Sequence, residues 1–73
     1  MSQPIAFTVF PKSMSVKSKS DSMKVCPTNI RRLLKGNDVA PQTAQRICAA
    51  TGFDMKDAFF EPDENGRFYP IMS

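Results

Sequence analysis

Histidine is absent from this 73-residue sequence and cysteine occurs only twice, so the usual ligands of a metal site are scarce. Cys26 and Cys48 lie 48 − 26 = 22 positions apart, and neither has a second cysteine nearby. Metal-binding cysteines and histidines instead come in closely spaced pairs. We therefore expect no metal and no other cofactor. Two reduced thiols are the favoured interpretation, with Cys48 as a small core residue, and a single disulfide is the alternative.

The residues that acid–base and nucleophilic catalysis requires are also missing. There is no histidine, no serine or cysteine in an activating neighbourhood, and no glycine-rich loop that could hold a phosphate. A chain of this length forms one small domain that buries only about 60% of the surface exposed on unfolding, which leaves little room for a deep pocket. We expect no catalytic residues, no enzymatic activity and no small-molecule ligand.

Long apolar segments are absent as well. No run approaches the roughly 18 apolar residues that span a bilayer. The only early apolar run, residues 5–10, is too short for the core of a secretory signal, and the basic flank and cleavage site of such signals are lacking. The sequence therefore predicts a cytoplasmic protein with no membrane partner.

Acidic side chains are nearly absent from the first half of the chain. Residues 1–37 carry seven basic residues and one acidic residue, a net charge of 7 − 1 = +6. Residues 38–73 carry three basic and six acidic residues, a net charge of 3 − 6 = −3. A chain polarised in this way can present a basic face to a polyanion and keep its acidic half away from it.

Two segments near the N-terminus allow two interpretations each. Residues 4–10 are rich in β-branched and aromatic side chains, which favours a short strand, whereas a proline at the first position of a helix is the rival interpretation. The composition of residues 12–24, rich in serine and lysine, indicates a linker. Val16, Ser20 and Met23 nevertheless follow the spacing of one helix face, so a helix is the alternative.

The remainder of the chain has sharper signals. Two prolines that suit the first turn of a helix and two glycines that suit its end predict helices over residues 27–35 and 41–51. Asp54, followed by Asp57 three residues later, resembles a capping pattern and predicts a helix over residues 55–60. Residues 63–66 read as a turn, and residues 67–71 as a short strand at a sheet edge, where Pro70 is tolerated.

Four stretches carry a resemblance to a known family: Val-Cys-Pro-Thr-Asn-Ile-Arg-Arg-Leu-Leu-Lys-Gly (25–36), Ala-Pro-Gln-Thr-Ala-Gln-Arg-Ile (40–47), Gly-Phe-Asp (52–54) and Ala-Phe-Phe-Glu-Pro (58–62). Together they resemble the Cro and lambda-repressor-like helix-turn-helix regulators over about two thirds of the chain. The resemblance implies a mainly α, small helix-turn-helix domain spanning residues 1–73, in which short N- and C-terminal β-strands are optional. Its parts would be an N-terminal strand or arm (1–13), the helix-turn-helix (15–36), supporting helices (41–60) and a C-terminal tail or strand (63–73).

The family pattern has a packing reason. Two helices that cross closely need a small residue at the crossing and apolar residues at fixed offsets. Counted from Val16, these offsets fall on Lys19, Ser20, Met23, Val25, Ile30 and Leu33. Lys19 departs from the pattern, because an apolar residue is usual there. We expect its methylene stem to pack in the core and its ammonium to reach water or a phosphate.

The resemblance implies a sequence-specific transcriptional regulator, expected to be a repressor from a phage, plasmid or other mobile element, that binds double-stranded DNA as a homodimer. Helix 27–35 would enter the major groove, with base edges read from its N-terminal end and from one of two arginines on the same exposed side. Flanking residues would hold the backbone, and residues 7–10 and 68–71 would form the dimer surface. The expected DNA-binding residues are Lys17, Pro27, Thr28, Asn29, Arg31, Arg32, Lys35 and Asn37.

A protein–protein interaction module is the alternative function. On this interpretation the chain keeps the helix-turn-helix scaffold but has lost DNA binding, as an antirepressor or inhibitor would. Lys19 favours it, and so does Pro11, which interrupts the region where the family has its first helix. Phe59, Phe60 and Met23 are expected to lie in the core on either interpretation.

Overall fold

The structure, a computed structural model, describes residues 3–73. These residues form a short 3-10 helix and four α-helices, and the mainly α prediction is confirmed. The helices are the 3-10 helix Ile5–Val9, α1 Val16–Met23, α2 Pro27–Leu34, α3 Pro41–Thr51 and α4 Met55–Ala58. Helix α1 packs against both α2 and α3, and α3 also contacts the 3-10 helix and α4.

Helix α1 forms where the composition indicated a linker, so the helical interpretation of this segment is the right one. Ser15 caps it, since its hydroxyl accepts a hydrogen bond from the N–H of Ser18 at 3.1 Å. The helix buries one face, which includes Ser20 and Met23. It ends at Lys24, which adopts the left-handed conformation with φ 56°.

Helix α2 begins at Pro27 and ends at Leu34, one residue before its predicted end. Gly36 has φ 80°, and its N–H donates to the carbonyl of Leu33 while that of Asn37 donates to the carbonyl of Arg32. These two bonds make a Schellman motif, which needs a left-handed residue after the helix. The glycine stop predicted from the sequence is therefore confirmed.

Helix α3 has the predicted bounds, and Gly52 caps its C-terminal end with φ 82°. Helix α4 is two residues shorter than expected and ends at Ala58. Phe59 leaves the helix because its backbone is extended and pairs with Pro70 in an antiparallel bridge. Asp54 stands at the N-cap of α4, but its side chain makes no capping hydrogen bond.

The N-terminal strand prediction is wrong, since Ile5–Val9 is a 3-10 helix. The N–H of Phe7 donates to the carbonyl of Pro4, and that of Phe10 to the carbonyl of Phe7. The rival prediction of a short helix is nearer, although Pro4 precedes the helix rather than beginning it. Ala6 and Phe7 are both buried, which a half-exposed strand with alternating faces would not allow.

The C-terminal segment is not a continuous strand. Three isolated antiparallel bridges take its place, and they pair Phe68 with Val39, Pro70 with Phe59 and Met72 with Pro4. The turn over residues 63–66 is confirmed, because the carboxylate of Asp63 accepts hydrogen bonds from the backbone N–H groups of Asn65 and Arg67.

The core lies between the 3-10 helix, α1, α2, α3 and residues 58–59. Its most deeply buried large side chains are Phe7, Ile30, Leu33, Ile47, Val39 and Pro4. Met23 and Phe59 are in the core as expected, whereas Phe60 is 57% exposed. Both cysteines are free thiols, with Cys48 buried and Cys26 exposed. Among residues 3–73, no helix has the length and apolar character needed to cross a membrane.

Candidate nucleic-acid interface

The N-terminal end of α2 is open to solvent. Cys26 caps the helix through its carbonyl, which accepts hydrogen bonds from the N–H groups of Asn29 at 2.9 Å and Ile30 at 3.2 Å. Its thiol is exposed, and hydrogen bonds from the backbone N–H and then the hydroxyl of Thr28 lower its pKa, with Arg31 adding a smaller effect. This end of the helix thus attracts negative charge.

One face of α2 carries the exposed polar side chains. Thr28, Arg31 and Lys35 follow one another at intervals of three and four residues and are all exposed, as is Pro27 at the first position of the helix. The opposite face is buried through Ile30 and Leu33. Helical spacing therefore places a hydroxyl, a guanidinium and an ammonium on the side that faces away from the core.

Two predicted residues of α2 are placed differently from this face. Asn29 is half-buried, so it lies beside the exposed face rather than on it. Arg32 is bound to the following loop, since its Nη2 lies 2.8 Å from Oδ1 of Asp38 and its Nε donates to the Asp38 carbonyl at 3.1 Å. The Arg32 side chain is still 41% exposed, so Arg31 and Arg32 both reach the surface, but Arg32 is paired with Asp38.

Asp38 also binds Arg67 from the C-terminal segment. Nε of Arg67 lies 2.8 Å from Oδ2 of Asp38, so each carboxylate oxygen holds one guanidinium. The hydrogen bond from Arg67 is the main reason why the pKa of Asp38 is below its ordinary value, and the charge of Arg32 lowers it further. Sequence reasoning missed Asp38 and Arg67, since they are 29 positions apart and carry no local motif.

The remaining predicted site residues lie on neighbouring elements. Asn37 is exposed in the loop directly after α2, close to the Arg32 end of the helix. Lys17 is exposed on α1. The structure therefore brings most of the predicted residues to α2 and the loop after it, with Lys17 on the helix packed against α2.

The helix crossing follows the predicted offsets. Ser20, Met23, Val25, Ile30 and Leu33 are all buried, and Val16 packs at the margin of the core. The hydroxyl of Ser20 donates to the carbonyl of Val25 across the turn between α1 and α2. A small residue at this point allows the chain to turn closely and present α2 outward.

Lys19 is buried, with 7% of its surface exposed. Its stem packs in the core as expected, but its ammonium is not free in water. Nζ donates to the carbonyl of Met14 at 3.0 Å and lies 6.0 Å from the centre of the Phe7 ring. Both contacts hold the ammonium against the protein, so Lys19 belongs to the scaffold rather than to the exposed surface.

A second surface feature lies beside α4. An apolar groove of about 410 Å³ is lined by Met55, Phe59, Phe60, Pro62, Phe68 and Ile71, with Lys56 and Glu61 beside it. Phe60, Tyr69 and Val9 are the large apolar side chains exposed within residues 3–73. Phe7 is in the core, so its predicted place on a dimer surface is wrong.

Comparison of the chain with protein-family models, with curated proteins and with solved structures finds no match.

Proposed function

We propose that this protein is a sequence-specific, double-stranded DNA-binding transcriptional regulator of the Cro and lambda-repressor-like kind, with α2 as its recognition helix. The observation that carries the proposal is the exposed face of α2, where Thr28, Arg31 and Lys35 stand opposite a buried apolar face. The role proposed for it is that of a repressor from a phage, plasmid or other mobile element, acting in the cytoplasm.

The dimensions of α2 suit this role. Its eight residues make a helix about 12 Å long, comparable to the width of the major groove, about 12 Å. Thr28 and Arg31 lie in the first turns, the part of a recognition helix that contacts base edges. Arginine can donate two hydrogen bonds to guanine, and Lys35 at the far end is placed for a phosphate.

Dimerisation is part of the proposal. One short helix makes few base contacts, and a two-fold dimer would double them on a palindromic site. The exposed side chain of Phe60, which lines the apolar groove, supports a self-association surface there. Phe68 and Ile71 line the same groove, so part of the predicted surface over residues 68–71 is retained.

The first experiment measures binding to random-sequence duplex DNA by fluorescence anisotropy over a range of salt concentrations. Each phosphate that the protein neutralises should add about 0.9 to the slope of log affinity against log salt. We expect steep salt dependence. Absence of binding at low salt would contradict DNA recognition.

The second experiment selects the preferred duplex from a random pool and then compares two arginine variants on it. Arg31→Ala should reduce specific affinity by about 1–3 kcal/mol and relax the selected sequence, as for a base-reading residue. Arg32→Ala should weaken binding to selected and random duplexes alike, because its guanidinium is tied to Asp38. Unchanged affinity in both variants would exclude α2 as the recognition helix.

A protein–protein interaction module, an antirepressor or inhibitor, is the second candidate. The apolar groove near α4 and the exposed Phe60 favour it, because exposed apolar patches mark partner surfaces. The salt titration separates the two functions: an interaction module would show no affinity for DNA at low salt.

A further inference from the structure

We infer that Asp38 positions the guanidinium groups of Arg32 and Arg67 as a clamp for a backbone phosphate of the DNA bound by α2. This inference rests on the proposed function and extends its site. It adds Arg67, which lies outside the basic half of the chain, to the DNA-contacting surface. It also gives an acidic residue, Asp38, a part in binding a polyanion.

The geometry brings two distant arginines to one point. Oδ1 of Asp38 is 2.8 Å from Nη2 of Arg32, and Oδ2 is 2.8 Å from Nε of Arg67. The Asp38 carbonyl accepts a further hydrogen bond, from Nε of Arg32 at 3.1 Å. Both guanidinium groups are thus held on either side of one carboxylate, at the end of α2 where the chain enters the loop.

The arginines keep donors for another partner. Arginine has five N–H donors in a planar fork, and Asp38 takes up two from Arg32 and one from Arg67. The side chains of Arg32 and Arg67 remain 41% and 37% exposed. Forked donors that are held in place lose little conformational freedom when they bind a phosphate.

The charge of the cluster is suited to phosphate. Two guanidiniums and one carboxylate leave a net charge of 2 − 1 = +1, and Lys35 is exposed on the last turn before the same loop. The cluster is at the opposite end of α2 from Thr28, so it would contact backbone rather than bases. Phosphate contacts of this kind set the register of a recognition helix without reading sequence.

The rival interpretation is an ion-pair cluster that only joins α2 to the C-terminal segment. The two interpretations predict different effects of Asp38→Asn on the affinity for DNA. If Asp38 acts only on the fold, removing its negative charge from a DNA-binding surface should strengthen binding or leave it unchanged. If Asp38 positions the arginines, losing the carboxylate should weaken binding even though the protein becomes more positive.

The test is the salt titration on a short random-sequence duplex with the full chain and four variants. Arg67→Gln removes the charge but keeps a donor toward Asp38, and Arg67→Lys keeps the charge. Asp38→Asn tests positioning, and Arg46→Gln, on the exposed surface of α3, is the control with the same change of residue and charge as Arg67→Gln. Circular dichroism at the binding temperature establishes that each variant is folded.

For Arg67→Gln we expect the log–log slope to fall by about 0.9, which weakens binding by about eightfold at 0.1 M salt if the curves meet at 1 M. Arg67→Lys should recover most of the slope, Arg46→Gln should keep the parental slope, and Asp38→Asn should bind more weakly than the parent. A parental slope in Arg67→Gln, or tighter binding by folded Asp38→Asn, would overturn the clamp. A parent that does not bind DNA would instead overturn the proposed function.

Discussion

Buried Lys19 is the residue whose place in the core differs most from the usual behaviour of its side chain. Its stem occupies a core position, and its ammonium is held by the Met14 carbonyl and faces the Phe7 ring. Phe7 comes from the 3-10 helix, so the lysine joins α1 to the N-terminal segment. Lys19 therefore makes a structural contact between α1 and the 3-10 helix.

Replacing this lysine by leucine should stabilise the protein. Apolar residues of similar volume often match or exceed buried charged groups in stability, and the half-buried Met14 can turn its carbonyl to water. We expect Lys19→Leu to add about 1 kcal/mol to the free energy of unfolding, or roughly 4–8 °C in melting temperature. Thermal unfolding followed by circular dichroism measures this. A lower melting temperature would mean that the Met14 and Phe7 contacts outweigh the gain in packing.

The two thiols should differ in reactivity. Hydrogen bonds from Thr28 lower the pKa of exposed Cys26, whereas burial, and then the charge of Asp54, raises the pKa of Cys48. Because the thiolate is the reactive form, iodoacetamide near pH 7.5 should modify native Cys26 at least about tenfold faster than Cys48. Mass spectrometry of the two peptides against time measures the rates. Thr28→Val should slow the modification of Cys26. Equal modification rates for Cys26 and Cys48 in the parent protein would contradict the expected difference in reactivity.

At the scale of single elements, helix ends follow local chemistry. Proline stands at the first position of α2 and α3, and a left-handed glycine follows each of them. Helix α1 ends instead on Lys24, the one non-glycine residue with positive φ within residues 3–73. A side chain in this conformation costs on the order of 1 kcal/mol, so this turn is under local strain.

Lys24→Gly should relieve the strain. Glycine adopts positive φ without steric cost, and the bond from Arg46 to the carbonyl of residue 24 does not need the lysine side chain. The entropy that glycine adds to the unfolded chain offsets part of this relief, so we expect a net gain of up to about 0.5 kcal/mol. Ser22→Gly, inside α1, is the matched control and should destabilise the protein by about 0.5 kcal/mol. Chemical denaturation measures the free energy of unfolding of both variants. If both substitutions destabilise the protein, Lys24 is not a strained position.

On the scale of the whole molecule, contacts between distant segments close the fold. The N–H of Ile5 donates to the carbonyl of Ile71, and that of Ser73 to the carbonyl of Gln3, so the two ends of the described chain lie side by side. The double hydrogen bond between Val39 and Phe68 joins the loop after α2 to the C-terminal segment. Asp38 strengthens this junction through Arg67.

The Asp38 junction should make stability depend on pH. Because the folded protein lowers the pKa of Asp38 below its ordinary value of 3.8, the ionised form stabilises the fold. This contribution is present above about pH 4 and is lost as the pH falls through the lower folded pKa. At neutral pH the parent should have a higher melting temperature than Asp38→Asn. The difference between the two melting temperatures should become smaller below about pH 4. Melting curves from pH 7 to 2 measure this difference. A difference that stays constant with pH would contradict the stabilising role of ionised Asp38.

The sequence by itself determined the helices whose ends and buried faces depend only on residues close together in the chain. Proline, glycine and the apolar spacing of Ile30 and Leu33 act within a few residues, so α2 and α3 were predicted almost to the residue. The exposed face of α2 follows from the same spacing, and with it Thr28, Arg31 and Lys35. These signals need no knowledge of the rest of the chain.

Only the tertiary structure decided the features that depend on distant partners. Ile5–Val9 is a 3-10 helix that buries both Ala6 and Phe7, although the β-branched and aromatic residues of the segment favour a strand. Helix α4 stops early because Phe59 pairs with Pro70. Arg32 pairs with Asp38, which also binds Arg67, 29 positions further along the chain. Burial and ion pairing between remote residues override local preference, because their free energies exceed the small differences in propensity between conformations.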